Sequence, residues 1–131
     1  MNKSTINKLD RVFSEFIRLR DSSANGYGKC ITCGKILFWK DGDAGHAINR
    51  AHMSTRYNEM NVHLQCRHCN RFREGEVVEY SMALIKKYGK DAVDRLLAQK
   101  HFVSKMSDFE GEVLIKHYKM KVKELKKLKG L

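Results

Sequence analysis

Proline is absent from the 131 residues, and acidic side chains are few, with 15 Asp and Glu against 26 Lys and Arg. The lack of proline argues against a linker-rich architecture. The lack of any apolar run near the roughly 20 residues of a membrane span excludes a membrane-inserted protein. The composition, 42% apolar and 31% charged, is that of a globular chain. Its formal charge of +11 indicates a polyanionic partner, either nucleic acid or an acidic membrane face.

The length is sufficient for one domain with one modest core, and we expect a single domain over residues 1–131. The first residues lack the apolar core of a signal peptide, which predicts a cytoplasmic location. In that reducing compartment, the four cysteines of the chain are better explained as metal ligands than as disulfide partners.

Hydrophobic spacing predicts an α+β fold in which helices flank a small β-rich centre. Apolar residues recur at helical intervals over residues 5–20, with Ser4 or Thr5 as the N-terminal cap. Between residues 27 and 60 no helical period persists. Short apolar pieces in that stretch predict a small hairpin whose bend is formed by residues 40–43.

Helical spacing returns in the second half of the sequence. It extends from about residue 67 to 88 and is ended by Gly89, and a short helix is predicted over residues 91–99. Asp108 is expected to cap a long last helix. The predicted organisation is an N-terminal helix (5–20), a zinc-binding centre (27–75) and a helical, basic C-terminal part (76–131).

Two Cys-x-x-Cys pairs, Cys30 with Cys33 and Cys66 with Cys69, account for all four cysteines. Two residues between the thiols let both sulfurs reach one ion, and two such pairs complete a tetrahedral shell of thiolates that suits zinc. A redox role would explain one pair but not the second. Because the shell leaves no open position, we expect a structural ion. His68, inside the second pair, is expected to bind no metal.

A second set of polar residues, His46, Asn61 and Asn70, follows in that order. Residues 43–46 (Asp-Ala-Gly-His) resemble the Asp-Arg-Gly-His motif of nonspecific nucleases in the ββα-metal superfold. Residues 66–70 resemble the zinc knuckle and asparagine of its phage junction-resolving branch. The set as a whole resembles the HNH nucleases, in which a hairpin and one helix hold a divalent ion. This resemblance implies a small zinc-stabilised, HNH-like ββα-metal centre.

A wider pattern covers six segments of the chain: residues 13–21, 30–34, 44–46, 56–58, 61–66 and 69–70. Together these segments resemble the phage recombination endonuclease family NinG, also called Rap. The resemblance weakens after about Leu97. It implies a metal-dependent DNA endonuclease, acting in the bacterial host, that uses Mg²⁺ or Mn²⁺ to hydrolyse phosphodiester bonds. The implied substrates are branched recombination intermediates such as Holliday junctions and D-loops.

The chemistry of phosphodiester hydrolysis suggests a role for each residue of the second set. His46 is the candidate general base, because an imidazole titrates near working pH; His52 and His63 are its rivals. Asn70 is the candidate ligand of the catalytic ion, since one neutral oxygen leaves most of the shell to water and phosphate. Asn61, which the family pattern includes in the catalytic set, would orient the His46 ring or hold its loop.

One position departs from the fuller HNH pattern. Gly45 stands where many relatives carry a second metal ligand immediately before the base. Asp43, Glu74 or water would then complete the shell, and the sequence does not choose between them. The absence of a side chain at Gly45 would let backbone or substrate approach closely.

Basic side chains supply the candidate DNA contacts. From Lys116 onward there are seven lysines against the single acid Glu124, and the apolar positions keep a helical period. This stretch therefore predicts a basic amphipathic helix, with a solvated helix face as the alternative. The candidate DNA-binding residues are Arg18, Arg20, Arg50, Arg56, Lys116, Lys119, Lys123, Lys126 and Lys127.

Two other functions compatible with the sequence are a non-catalytic zinc-finger DNA-binding protein and a nonspecific nuclease. His46 and Asn70 distinguish the first of these from an endonuclease, because a pure DNA-binding protein needs neither. A symmetric cut across a junction would favour a homodimer. No membrane partner is expected.

Overall fold

The computed structural model describes residues 1–72 and 76–131. It is a mixed α+β structure, as the hydrophobic spacing predicts. In chain order the elements are α1 (Lys3–Arg20), β1 (Tyr27–Lys29), β2 (Ile36–Phe38), a 3₁₀ turn (Trp39–Asp41), β3 (Gly42–His46), α2 (Met53–Arg56), β4 (Val62–Cys66), a π-helical turn (His68–Phe72), α3 (Val77–Tyr88), α4 (Lys90–Gln99) and α5 (Asp108–Lys129).

The two longest helices, α1 and α5, pack side by side and run in the same direction. At their N-terminal ends the backbone N–H of Asn2 donates to Asp108 Oδ1 at 2.6 Å. At their C-terminal ends Lys129 Nζ donates to the Leu19 carbonyl at 2.5 Å, which satisfies one of the last free carbonyls of α1. The main core lies between them and includes Leu9, Phe13, Phe16, Ile115, Tyr118 and Val122.

The predicted N-terminal helix is confirmed, although it begins two residues before the predicted start. Its cap is Asn2, whose side-chain oxygen accepts from the backbone N–H of Thr5 at 2.9 Å, rather than Ser4 or Thr5 themselves. The last helix is also confirmed. Its cap is Ser107 in a reciprocal capping box with Glu110, and Asp108 is the first helical residue.

The predicted single hairpin is wrong in its pairing. The described residues contain two antiparallel pairs, β1 with β2 and β3 with β4, and β4 is a strand formed far along the chain. Residues 40–43 are not a hairpin bend, because they end the 3₁₀ turn and begin β3. All five residues of β4 are buried. Burial of that strand favours its long-range pairing with β3 over the local one.

The helical segment predicted from residue 67 to 88 is interrupted. A π-helical turn ends at Phe72, and α3 begins at Val77. Both residues are exposed, because α3 packs through Tyr80 and Leu84. The predicted stop at Gly89 is confirmed: its φ of 88° is a conformation that glycine adopts without strain.

The glycine before the candidate base allows a close approach within the fold. Gly45 pairs with His63 across the β3–β4 ladder, and a Cβ at this position would come within about 3 Å of the Gln65 side chain. The space beside Gly45 is therefore filled by protein rather than by substrate.

In the described part of the chain, no helix has the length and apolarity needed to cross a bilayer.

Candidate functional site

The two Cys-x-x-Cys pairs converge on one point. Ligand atoms of the four cysteines all lie within 4.8 Å of one another, and the Sγ atoms of Cys33 and Cys66 are 3.9 Å apart. Zinc–sulfur bonds of about 2.3 Å in a tetrahedron place sulfurs about 3.8 Å apart. Cys30 and Cys33 lie in the turn between β1 and β2, whereas Cys66 ends β4 and Cys69 lies in the π-helical turn. A zinc ion would therefore join the two hairpins.

The electrostatics of the four thiols favour a bound cation. Burial raises the pKa of Cys30, but hydrogen bonds from the Thr32 side chain and from the Cys33, Cys66 and Thr32 amides outweigh it and lower that pKa to about 6. Burial and the neighbouring thiols raise the pKa of Cys69 to about 12. Four close thiolates repel one another unless an ion binds them, so metal binding would replace protons at this site.

The predicted second set of residues is partly assembled in a cleft of about 580 Å³ between α1, β3 and the π-helical turn. His46, Asp43 and Asn70, which are separated in the sequence, all line this cleft. Asn61 does not. The remaining polar or charged lining comes from Asp10, Ser14, Asn49, Arg50 and Arg71.

The His46 ring is held in one orientation at the end of β3. Its Nε2 lies 2.9 Å from the carbonyl oxygen of Arg56. Because a carbonyl only accepts, Nε2 is the protonated nitrogen and Nδ1 is left with the lone pair. Burial lowers the pKa of His46; the bond to the Arg56 carbonyl opposes this effect, and the charge of Arg50 adds to it. The imidazole is therefore neutral at neutral pH and basic at Nδ1.

Asn61 holds the loop that follows β3. The side chain is fully buried; its Nδ2 donates to the Ile48 and Thr55 carbonyls at 2.9 and 3.0 Å, and its Oδ1 accepts from the Ile48 N–H at 2.7 Å. Of the two roles predicted for Asn61, these bonds match the loop-holding role. Asn61 is a positioning residue on this geometry.

Asp43 is the centre of an ion pair and hydrogen-bond cluster. Arg71 binds both of its oxygens, with Nε to Oδ2 at 2.9 Å and Nη2 to Oδ1 at 2.8 Å. Asn70 donates from Nδ2 to Oδ2 at 2.9 Å. Because Asn70 follows Cys69 directly, the four-cysteine site fixes the backbone that carries it. Glu74, the other predicted ligand, lies outside the described residues.

Asp10 of α1 is a cleft residue that the sequence analysis missed. Its carboxylate accepts from Arg56 Nε and Nη2 at 3.0 and 2.5 Å and from the Tyr57 hydroxyl at 2.7 Å. These bonds lower the pKa of Asp10 despite its partial burial. Since the Arg56 carbonyl binds the His46 ring, Asp10 supports the candidate base through Arg56. Nothing in the sequence distinguishes this aspartate from the other charges of an amphipathic helix.

Three of the four arginines predicted to contact DNA, Arg18, Arg20 and Arg56, donate hydrogen bonds within the fold. The Arg56 side chain is 16% exposed and paired with Asp10. Arg20 binds Asp21 at 2.8 Å and donates to the Glu59 and Val62 carbonyls. By contrast the Arg50 side chain, on the cleft wall, is 61% exposed. Its ion pair with Asp10 is long, with 3.6 Å between Nη1 and Oδ2.

The two rival bases occupy different environments. His63 is 1% exposed, its Nε2 lies 2.7 Å from the Tyr88 hydroxyl, and burial lowers its pKa to about 4. This position excludes substrate, so His63 is a structural histidine. His52 stands at the start of α2 and lines a neighbouring cavity rather than the cleft.

The basic last helix presents four of the predicted lysines to solvent. Lys116, Lys119, Lys123 and Lys127 are exposed and recur at intervals of three or four residues, so they form one stripe along α5. Lys126 lies off this stripe, with its Nζ 2.9 Å from Glu15. A neighbouring face of α5, which carries Ile115, Tyr118 and Val122, packs on α1, so the helix is part of the fold.

Replacing Cys66 by serine should remove the zinc and with it cooperative folding. Structural zinc contributes on the order of 10 kcal/mol to the folding of small domains, and an incomplete thiolate shell loses much of that free energy. The measurement is metal content by mass spectrometry together with thermal melting. Cys66→Ser protein that melts like the wild type would contradict the structural role, as would wild-type protein that lacks zinc and melts unchanged.

Sequence comparisons identify relatives of the chain among phage proteins. The family described as Bacteriophage Lambda NinG protein matches residues 1–129. Protein ninG of Escherichia phage lambda is 32% identical over 124 residues, covering 92% of this chain and 57% of the relative. Protein ninG of Salmonella phage P22 has the same identity and coverage. The chain thus spans a little over half the length of these relatives. No solved structure matches it. The chain belongs to the NinG family.

Proposed function

We propose that this protein is a metal-dependent DNA endonuclease of the HNH type that hydrolyses phosphodiester bonds in branched recombination intermediates. The observation that carries the proposal is the cleft, where a neutral His46 with a basic Nδ1 lies together with Asp43 and Asn70. General-base and divalent-ion chemistry require such residues. The basic charge of the chain favours a DNA substrate.

The local topology supports the HNH assignment. The antiparallel strands β3 and β4 are followed directly by a turn of helix, and the base lies on the first strand while Asn70 lies on the turn. This is the order of a ββα-metal site. The four-cysteine site at the end of β4 would fix the turn relative to the hairpin.

The residues of the cleft fit a divalent ion bound by oxygen. Asp43 offers carboxylate oxygens, and Asn70 retains its Oδ1 because its bond to Asp43 is made through Nδ2. Oxygen ligands of this kind suit Mg²⁺ or Mn²⁺, with water and phosphate completing the shell. A bound ion would stabilise the charge that develops on the phosphate and the leaving oxygen. On binding the ion, Asp43 would lose its ion pair with Arg71.

Each side chain of the cleft then has its own role in hydrolysis. His46 Nδ1 takes a proton from the attacking water, while the Arg56 carbonyl keeps the ring in place. Arg50, exposed on the cleft wall, and Arg71, once released from Asp43, supply positive charge to the phosphate. The lysine stripe of α5 is a further contact for the DNA backbone. These contacts carry no base specificity, which suits an enzyme that recognises the shape of a junction.

His46→Ala should slow DNA cleavage by roughly 10²–10⁴-fold, the usual contribution of a positioned base. Binding and thermal melting should change little, because the ring is not part of the core. Cleavage of labelled junction, duplex and single strand is compared for the two proteins, with His101→Ala as a control in an exposed segment outside the cleft. Undiminished cleavage by the His46 variant would overturn the assignment and move the search to His52.

The pH profile of the wild-type enzyme gives a separate test of the same base. Burial lowers the pKa of His46, so the imidazole stays unprotonated to a pH below the ordinary 6.5. We therefore expect kcat/KM to fall on acidification with a midpoint below 6.5, and this limb to disappear in the residual activity of His46→Ala. A midpoint of this acid limb above pH 6.5 would contradict a base whose pKa is lowered by burial.

Asn70→Ala should raise the Mg²⁺ concentration needed for half-maximal cleavage and should also slow the reaction at saturating Mg²⁺. The cause would be loss of one oxygen ligand, since Asp43 and the cysteine site remain in place. Titration of Mg²⁺ in the cleavage assay, with melting as the check on folding, measures this change. Normal cleavage by the variant at low Mg²⁺ would show that Asn70 is not a ligand.

A non-catalytic DNA-binding protein and a nonspecific nuclease give different results in these assays. The first binds labelled DNA without cutting any form in the presence of Mg²⁺ or Mn²⁺. The second cuts duplex and junction at equal rates. Preferential cutting of the junction separates the proposed function from both.

A further inference from the structure

We propose that DNA bound in the cleft continues onto a second phosphate-binding surface, the Trp39 cluster, formed by Arg18, Lys40 and Lys126 around the Trp39 ring. This proposal rests on the proposed function and extends it to the path of the substrate. The three basic residues come from α1, the 3₁₀ turn and α5, so the surface exists only in the folded chain.

The geometry of the cluster is defined by one buried aromatic ring. The Arg18 guanidinium carbon and the Lys40 Nζ each lie 5.4 Å from the centroid of the Trp39 ring, and the Lys126 Nζ lies 5.8 Å from it. Cations at these distances are attracted to the ring face. Trp39 itself is 5% exposed, so it holds the cations in place and is not a stacking surface for bases.

The charge of the cluster favours an anionic ligand. Three cations share one ring, and the carboxylate of Glu15, 2.9 Å from Lys126, neutralises part of their charge. Arg67 adds a fourth cation nearby, since its Nη2 lies 3.4 Å from the Lys40 carbonyl. Cations gathered in this way repel one another, and a polyanion that spans them relieves the repulsion.

The cluster lies along α1 from the cleft. Ser14 lines the cleft, and Arg18, one helical turn further, donates from Nε to Ser14 Oγ at 3.2 Å. Arg18 also donates from Nη1 to the Trp39 carbonyl at 3.2 Å. The four residues from Ser14 to Arg18 advance about 6 Å along the axis, close to the rise of two nucleotides at about 3.4 Å each. A strand leaving the cleft would therefore reach the cluster within a few nucleotides.

The test compares the salt dependence of DNA binding for the full chain and for the double variant Lys40→Gln, Lys126→Gln. Binding of labelled junction is measured by fluorescence anisotropy without added divalent ion, so that no cleavage is expected. Each lysine that neutralises a phosphate contributes about 0.9 to the slope of log affinity against log salt. We expect the double variant to lower the slope by about 2 and to weaken binding at every salt concentration.

A matched control removes the same charge elsewhere. Lys86→Gln, Lys90→Gln changes two exposed lysines of α3 and α4 that lie outside both the cleft and the cluster, and its slope should equal that of the wild type. Thermal melting of both variants checks folding. An unchanged slope for Lys40→Gln, Lys126→Gln, or an equal loss in the control, would overturn the assignment of the cluster.

The outcomes also separate this inference from the proposed function. If the wild-type protein cuts junctions with Mg²⁺ and the double variant keeps the full salt slope, the endonuclease assignment stands and the cluster has no part in DNA binding. If the wild-type protein neither binds nor cuts DNA, the proposed function itself fails. Loss of slope with normal melting supports the cluster alone, because a non-catalytic DNA-binding protein would show the same loss; cleavage by the wild-type protein tests the endonuclease assignment separately.

Discussion

The convergence of four thiols is the interaction on which the rest of the site depends. A metal ion held by Cys30, Cys33, Cys66 and Cys69 would join the β1–β2 hairpin to the end of β4 and to the turn that follows. The strands involved are only three to five residues long, and hairpins of that size are marginal in water. Zinc would supply the free energy that a small centre cannot obtain from burial alone.

The cleft is built from three parts of the chain that the fold brings together. The four-cysteine site sets the position of Asn70, β3 carries Asp43 and His46, and α1 contributes Asp10. Asp10 binds Arg56, and the carbonyl of Arg56 binds the His46 ring, so the long helix supports the candidate base. The packing of α1 on α5 therefore affects a site whose sequence motifs lie in neither helix.

The sequence predicted those features that local spacing encodes. The cysteine pairs and the stop at Gly89 depend on neighbouring residues and were found directly. Motifs selected His46 and Asn70 as candidates, and the structure places both in one cleft. Strand pairing was not found, because β3 pairs with a buried strand far along the chain. Asp10 and the ion pair of Arg56 were missed for the same reason, since one charged residue resembles another until its partner in space is known.

Cleavage by the wild-type protein is the most direct test of the central claim, that the cleft beside the four-cysteine site hydrolyses DNA. Purified zinc-loaded protein is incubated with labelled Holliday junction, duplex and single strand, each with and without Mg²⁺. The account predicts cutting of the junction in preference to the other two forms, and only when Mg²⁺ is present. Binding of junction without cleavage by zinc-loaded protein, in Mg²⁺ and in Mn²⁺, would contradict it.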